Sequence, residues 1–105
     1  MRGEVWTLRD DRYASKARPV VIVQSDDVVG FDSVVLCLLT TYDSSQIPTR
    51  VRIEPTRENG LEKTSYVMTE KIASVSRSLL GKRIGRIEEA SMGEIAKQLA
   101  CVLGI

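Results

Sequence analysis

Histidine is absent from this chain of 105 residues, and there are only two cysteines, Cys37 and Cys101. Histidine is the side chain whose ordinary pKa lies closest to neutral pH, so the commonest proton-transfer catalyst is missing. Zinc sites are built mainly from histidine and cysteine, and no zinc site is predicted here. Both cysteines lie in apolar runs, which favours a buried, reduced thiol pair over a disulfide.

An excess of one charge sign is also missing, since 15 Lys and Arg residues face 14 Asp and Glu residues. A nucleic-acid-binding domain is usually strongly basic, so any such binding must depend on local charge. No apolar run approaches the ~20 residues of a membrane-spanning helix, and the first residues lack the apolar segment of a signal peptide. We therefore expect a cytoplasmic protein with a single domain over residues 1–105.

Short β-branched and apolar runs are abundant in the first two thirds of the sequence. Their composition and spacing are typical of strands, with Pro19 acceptable at the first position of its run. The predicted strands cover residues 4–8, 18–24, 33–41, 49–54 and 65–69, with turns at 25–30 and 55–60 and one helical turn at 75–80.

The hydrophobic period changes near the C-terminus. From Ile87 onward, one side of a helix is formed by Ala90, Ile95, Leu99 and Val102–Leu103, and Gly104 suits its C-terminal end. Short strands followed by one amphipathic helix indicate a mainly β fold, a small antiparallel barrel capped by a C-terminal α-helix.

Six sequence blocks, in order along nearly the whole chain, resemble the MazF/PemK toxins. The blocks are Arg2-Gly3-Glu4-Val5-Trp6, Arg18-Pro19-Val20-Val21-Ile22-Val23-Gln24-Ser25-Asp26, Leu38-Leu39-Thr40-Thr41, Asn59-Gly60-Leu61 with Lys63-Thr64-Ser65, Leu80-Gly81-Lys82-Arg83-Ile84-Gly85, and the final helix. The resemblance implies an SH3-like barrel, a homodimer, sequence-specific cleavage of single-stranded RNA and neutralisation by an acidic, partly disordered antitoxin. It also implies that the catalytic pair is Arg18 and Thr40.

Cleavage without a metal requires attack of the ribose 2′-OH on the adjacent phosphate, stabilisation of the phosphorane and protonation of the leaving oxygen. Arg18 is assigned to charge stabilisation, with proton donation left open, because a guanidinium clamps phosphate oxygens at constant charge. Thr40 is assigned to orientation, and the general base is left open. The double aspartates Asp10–Asp11 and Asp26–Asp27 have no further ligand spacing, so neither a metal nor another cofactor is predicted.

Residue type alone suggests simpler roles. Arg18 would be a surface arginine paired with Asp10 or Asp11, and Thr40 a β-branched residue ending a strand. The resemblance reverses both interpretations. Trp6 is expected in the core or at a dimer interface, and Asp26 is expected to close the turn after the second strand.

Further residues are predicted to bind the substrate. Tyr13 and Tyr42 lie in predicted loops and suit base stacking, and Arg50 and Arg52 are candidates for a local positive groove. In relatives the segment E-Q-I-R lies near bound RNA, but here it reads Glu70-Lys71-Ile72-Ala73, which puts the recognised RNA sequence in doubt. The predicted substrate-binding residues are Lys16, Gln24, Ser25, Tyr42, Glu70 and Lys71.

Two alternatives remain open. The same barrel hosts toxins that bind a protein such as gyrase and cut nothing, although those depend on a tryptophan near the C-terminus that is absent from residues 101–105. The other alternative is a catalytically inactive relative that acts only as an interaction partner, and the altered segment at Lys71 and Ala73 would suit it.

Overall fold

The apolar runs form strands in the folded chain, and the amphipathic C-terminal segment forms a helix. A computed structural model describes residues 1–9 and 18–105. In these residues the elements are strands β1 (Glu4–Leu8), β2 (Arg18–Ile22), β3 (Ser33–Thr40), β4 (Val51–Ile53), β5 (Ser65–Ser76) and β6 (Leu80–Arg86), followed by helix α1 (Glu89–Leu103). No helix of the described residues is long and apolar enough to cross a membrane.

The described strands form one antiparallel sheet in the order β4-β5-β3-β2-β1-β6. The prediction of a mainly β, SH3-like fold with a C-terminal helix is confirmed. The sheet is not closed by hydrogen bonds, because no ladder joins its edge strands β4 and β6 in the described part of the chain. Along the chain, a 3-10 turn at Arg77–Leu79 connects β5 to β6.

Both faces of the central strands are buried, which explains why their sequences are continuously apolar instead of alternating. One face carries the barrel cluster. Its buried members are Leu8, Val20, Ile22, Val34 and Leu36. The opposite face carries the helix cluster, which packs beneath α1. Its members include Val5, Val21, Cys37, Leu39, Val51, Ile53, Val67, Met92, Ile95 and Leu99.

Helix α1 buries Met92, Ile95 and Leu99, whose spacing of three and four residues places them on one face. The helix begins later than predicted because Ile87 still belongs to the sheet region, where its N–H donates to the carbonyl of Gly3 at 2.8 Å. Gly104 ends the helix in the left-handed region, with φ of 72°, and its N–H reaches carbonyls of the last turn. The predicted role of this glycine is confirmed.

The second half of the chain departs most from the predicted elements. Strand β5 runs to Ser76 instead of ending at Thr69, and the predicted helical turn at 75–80 is only the 3-10 turn at Arg77–Leu79. Strand β6 was not predicted, because an edge strand with one exposed face and two glycines lacks a run of apolar residues.

Strand β6 is held near β4 by a close backbone contact. The turn at Asn59–Gly60 packs on Gly85, and a Cβ atom added at Gly85 would lie 2.3 Å from the carbonyl carbon of Asn59 and 2.4 Å from the carbonyl oxygen of Glu58. The N–H of Arg86 donates to that Glu58 oxygen at 2.8 Å. This contact requires glycine at position 85 and links the two edges of the open sheet.

The two cysteines are in different environments, and neither forms a disulfide. Cys37 is fully buried in the helix cluster, whereas Cys101 is exposed on α1. The prediction of a buried thiol pair is therefore right for Cys37 and wrong for Cys101, because the helical phase turns Cys101 away from the face that packs on the sheet. Burial raises the pKa of Cys37 to about 12, and the negative charge of Glu70 adds to the rise.

Thiol labelling should separate the two cysteines, because only a thiolate that reaches solvent reacts quickly. We expect one equivalent of thiol to react with Ellman's reagent at pH 8 in the native protein, and two after unfolding in guanidinium chloride. Cys101→Ser should abolish the native reaction, and Cys37→Ser should leave it unchanged. Rapid native labelling in Cys101→Ser would contradict the burial of Cys37.

Glu4 receives three donors at the start of β1. Its carboxylate accepts from the N-terminal ammonium at 2.6 Å, from Arg83 Nε at 2.8 Å and from Trp6 Nε1 at 3.3 Å. Burial alone raises the pKa of Glu4, but these donors outweigh burial and lower the pKa from 4.5 to about 2. Trp6 also packs beside the barrel cluster, as predicted for a core residue. The charged form of Glu4 therefore stabilises the folded state.

We expect Glu4→Gln to lower the free energy of unfolding at pH 7 by about 2 kcal/mol, after allowance for solvent screening of its exposed partners. Because the folded pKa is depressed, this stabilisation is complete above the unfolded value of 4.5 and disappears as pH falls toward 2. Urea unfolding of both proteins between pH 2 and pH 7 measures the difference. A difference that does not change with pH would show that the charge of Glu4 contributes nothing.

Candidate functional site

The start of β2 and the end of β3 lie side by side because the two strands are antiparallel. Their register pairs Val20 with Leu38 and Val21 with Cys37. Continued by two residues to the strand ends, this register places Arg18 opposite Thr40. Directly opposed residues have Cα atoms roughly 5 Å apart, so the two predicted catalytic residues are neighbours across the sheet. Arg18 is exposed and Thr40 is half-buried.

The same row continues across two more strands. Thr40 is paired with Tyr66 of β5, and Tyr66 is paired with Arg52 of β4. Their chain neighbours Leu39, Val67 and Val51 point into the helix cluster, and alternation therefore puts the row on the opposite face. We call Arg18, Thr40, Tyr66 and Arg52 the four-strand row. It has an exposed arginine at each end and two hydroxyl groups between them.

The turn after β3 is anchored on Thr40. Its Oγ1 accepts the N–H of Tyr42 at 3.1 Å, and the hydroxyl of Ser44 donates to the carbonyl of Tyr42 at 2.9 Å. The backbone of Tyr42 is thereby fixed beside the row, while its side chain is 73% exposed. An exposed aromatic ring whose backbone is fixed next to the site is suited to stacking on a nucleic-acid base.

Asp43 and Tyr66 form a pair that the sequence reasoning missed. The hydroxyl of Tyr66 donates to Asp43 Oδ1 at 3.1 Å, and the N–H of Ser45 donates to the same oxygen at 3.0 Å. The hydrogen bonds from Ser45 and Tyr66 hold the pKa of Asp43 below its usual value, while burial and the charge of Asp43 raise the pKa of Tyr66. At neutral pH the site therefore contains a carboxylate and a protonated phenol.

Arg50 and Glu70 form an ion pair next to the turn after β3. Arg50 Nε and Nη2 both contact the Glu70 carboxylate, at 3.1 Å and 2.5 Å to Oε2, and Arg50 Nη1 donates to Ser44 at 2.9 Å. The Arg50 side chain is only 14% exposed, and the hydrogen bonds from Arg50 lower the pKa of Glu70. Arg50 thus holds the turn after β3 in place. Its charge is paired with Glu70, so it is not the free cation that the predicted positive groove required.

Glu70 and Lys71 lie in an irregular part of β5. The β3–β5 register pairs Leu38 with Met68 but Cys37 with Ile72, so residues 69–71 have no opposite partner on β3. Such a bulge bends the strand, and here it lets β5 pair with β4 in its first half and continue around the barrel in its second. Through Arg50, the bulge links Glu70 to Ser44 in the turn after β3, and the next residue, Lys71, is exposed.

Gln24 and Ser25 are not brought together with Arg18. They follow the other end of β2, roughly 20 Å away for six extended residues. The Gln24 side chain accepts from the N–H of Val35 at 3.0 Å and donates to the carbonyl of Val28 at 2.8 Å, and Ser25 Oγ accepts from the N–H of Asp27. Both side chains hold the β2–β3 connection in place. Within one protomer, their distance from Arg18 does not support the predicted contact with substrate.

The predicted role of Asp26 is only partly met. Asp26 accepts the N–H of Arg2 at 2.8 Å, so it ties the N-terminal segment to the turn after β2 instead of closing that turn by itself. Lys16, Tyr13, Asp10 and Asp11 lie outside the described residues. Within the described ranges, no three His, Cys, Asp or Glu side chains are grouped as metal ligands.

A groove of about 450 Å³ opens beside Arg52, between the edges of the sheet and the start of α1. Its lining includes Glu54, Glu58, Glu88 and Glu89 together with Arg86. Arg52 also lines this groove, but its four glutamates outnumber Arg52 and Arg86. A phosphate backbone is therefore less favoured inside the groove than along the four-strand row, which Arg52 also joins.

Comparison with known proteins gives a consistent result. The sequence model described as PemK-like, MazF-like toxin of type II toxin–antitoxin system matches residues 1–103. The chain is 38% identical over 105 residues to the probable endoribonuclease MazF of Mycolicibacterium smegmatis (strain ATCC 700084 / mc(2)155), covering 99% of this chain and 96% of that protein. It is 30% identical to the endoribonuclease MazF of Staphylococcus epidermidis, covering 84% and 74%.

Solved structures agree in fold. A mycobacterial endoribonuclease in complex with its cognate antitoxin superposes with a TM-score of 0.84 and 30% identity, covering 100% of this chain and 95% of that chain. The Mycobacterium tuberculosis toxin MazF-mt6 superposes with a TM-score of 0.82 and 21% identity, covering 97% of each chain. The chain therefore belongs to the PemK-like, MazF-like toxins of type II toxin–antitoxin systems.

Proposed function

We propose that this chain is an endoribonuclease toxin that cuts single-stranded RNA at specific sequences and thereby blocks translation and growth. Two similar proteins are named as endoribonucleases. The observation that carries the proposal is the register that sets Arg18 opposite Thr40, because an arginine and a hydroxyl side by side at a strand end form a small phosphate-binding unit.

The proposed reaction begins with attack of a ribose 2′-OH on the adjacent phosphorus. The new 2′-O–P bond forms as the P–O5′ bond breaks. The 2′-OH loses one proton and O5′ gains one, so the step consumes no net proton and leaves a cyclic phosphate and a 5′-OH. Arg18 stabilises the charge that builds up on the phosphorane oxygens, since a guanidinium offers paired donors at constant charge. Thr40 orients the reacting groups through its hydroxyl. No step requires a metal ion or another cofactor.

Substrate contacts are proposed on the sides of this pair. Tyr42 stacks on a base, and Lys71 in the β5 bulge supplies positive charge, while Glu70 keeps the bulge in place through Arg50. Lys16 is proposed as a further phosphate contact. Gln24 and Ser25 remain candidates for base recognition only if a second protomer brings them to the site.

We also propose that the toxin acts in the cytoplasm as a homodimer that a cognate antitoxin neutralises. Apolar side chains on the β2–β3 connection and the 3-10 turn are exposed, with Val29 at 73%, Phe31 at 61% and Leu79 at 38%, and exposed apolar patches commonly mark interfaces. An acidic antitoxin segment would compete with RNA for Arg18. Light scattering at micromolar concentration tests the dimer, and a monomeric mass would refute it.

The activity is tested by incubating the purified protein with a long messenger RNA in EDTA and mapping the 5′ ends of the products. We expect discrete cuts whose downstream fragments carry 5′-OH groups and whose upstream fragments end in cyclic phosphate. Intact RNA, with inhibition of gyrase instead, would favour a protein-binding toxin. Intact RNA without gyrase inhibition would favour an inactive relative, and cuts that disappear in EDTA would refute the metal-free reaction.

A further inference from the structure

We propose that the RNA strand crosses the sheet along the four-strand row, and that Arg52 binds a phosphate other than the one being cleaved. This inference depends on the proposed function, since it extends the RNA site from Arg18 to the far edge of the sheet. Of the two arginines predicted to form a local positive groove, it assigns Arg52 to a phosphate of the RNA.

The row has the dimensions of a track for an extended strand. Arg18 and Arg52 stand on strands separated by β3 and β5, and three strand spacings of about 4.8 Å place their backbones roughly 14 Å apart. The floor between them consists of the half-buried Thr40 and the buried Tyr66. Two cations at the ends of this floor suit two phosphates of one strand that are not adjacent, because phosphate contacts come mainly from arginine, lysine and hydroxyl groups. The Asp43 carboxylate, which accepts the Tyr66 hydroxyl, lies beside the floor between them.

Arg52 is prepared for such a contact. Its side chain is 62% exposed, and its Nε donates to Glu54 Oε1 at 2.5 Å. Glu54 is itself fixed by the hydroxyl of Thr64, which donates to its Oε2 at 3.1 Å. No described residue accepts a hydrogen bond from Nη1 or Nη2 of Arg52, so the Glu54 carboxylate orients the guanidinium and leaves its terminal donors for an anion.

Tyr42 defines the side on which the bases lie. Tyr66 is only 6% exposed and its hydroxyl donates to Asp43, so its ring is not open for stacking, whereas the Tyr42 ring is 73% exposed beside the row. An RNA backbone that follows the four-strand row, with one base stacked on Tyr42, would contact both the row and the ring. Sites for single strands commonly combine a charged backbone track with aromatic stacking.

The test measures RNA affinity against salt concentration. The probe is a fluorescein-labelled RNA that spans a mapped cut, with a 2′-deoxy sugar at the cut to prevent cleavage, and anisotropy is read from 50 to 300 mM KCl. Arg52→Ala should weaken binding roughly tenfold at 50 mM KCl and reduce the slope of log K against log salt by about 0.7, the value for one phosphate contact on a single strand. Glu54→Gln should tighten binding, because it removes a negative charge beside that phosphate.

Lys97→Ala is the matched control, because Lys97 is an exposed cation on α1, the element that covers the opposite face of the sheet. It should leave affinity and slope unchanged. With cleavable RNA, Arg52→Ala should raise KM and leave kcat within about twofold, as expected for a contact made equally in the ground and transition states. An Arg52→Ala slope equal to that of the wild type would overturn the inference while the wild type still cuts RNA. A wild type that cuts no RNA would overturn the proposed function itself.

Discussion

Replacing Arg18 by alanine should lower the single-turnover rate of RNA cleavage by a factor of about 10² to 10³, the usual loss when one donor to a developing negative charge is removed. Arg18 is exposed at the start of β2, so its replacement should cost little stability. The rate is measured at saturating RNA on a labelled oligonucleotide that contains a mapped cut, and circular dichroism checks that the fold is retained.

Conservative variants of Arg18 and Thr40 test the two proposed roles separately. Arg18→Lys keeps the charge but loses the planar fork, so we expect it to recover only part of the rate. Thr40→Val should be slow and Thr40→Ser should recover activity, since serine restores the hydroxyl. Equal rates for Arg18→Ala, Lys97→Ala and the wild type would eliminate Arg18 from the catalytic site.

Replacing Gly85 by alanine should destabilise the fold by about 3 kcal/mol, at the upper end of the cost of overpacking. The added Cβ would lie 2.3 Å from a backbone carbon of Asn59, and backbone cannot move aside as a flexible side chain does. For a chain of this size, the midpoint of thermal unfolding should fall by roughly 10 °C or more.

Gly93→Ala is the matched substitution with the opposite expected sign. Gly93 is exposed within α1, and a Cβ added there meets nothing within 4 Å. Alanine is favoured over glycine in a helix interior, so the variant should gain up to about 1 kcal/mol. Thermal unfolding followed by circular dichroism compares both variants. A Gly85→Ala protein as stable as the wild type would show that the Asn59–Gly60 turn does not press on β6.

The regular elements with strong local patterns were predictable from the sequence. Strand β1 has the predicted bounds, β2 and β3 begin where predicted, and α1 was identified from a predicted face of which Ile95 and Leu99 are buried. That prediction missed the buried Met92 and wrongly included Ala90, Val102 and Leu103, which are exposed. These elements are visible in local composition and period because burial of a strand or of a helix face limits each buried position to apolar residues. Strand β6 carried no such signal, since its neighbours in space rather than its own residues hold it in the sheet.

The candidate site was only partly predictable. Arg18 and Thr40 were identified by resemblance, whereas Tyr66 looked like an ordinary strand residue and Asp43 like an ordinary loop residue. Their hydrogen bond joins residues that are 23 positions apart. Arg50 had been expected to form part of an exposed groove, but its partner Glu70 is 20 positions away in the β5 bulge. Neither pairing follows from local sequence.

The sequence by itself determined the broad fold, the family and the two residues that the proposed chemistry needs, because these depend on residue types at fixed spacings along the chain. Because these 105 residues contain no histidine, the chemistry proposed for them uses none. Only the tertiary structure decided which side chains share a face. The register of β2, β3, β5 and β4 joins Arg18, Thr40, Tyr66 and Arg52 into one row, since strand pairing brings together residues from distant parts of the chain.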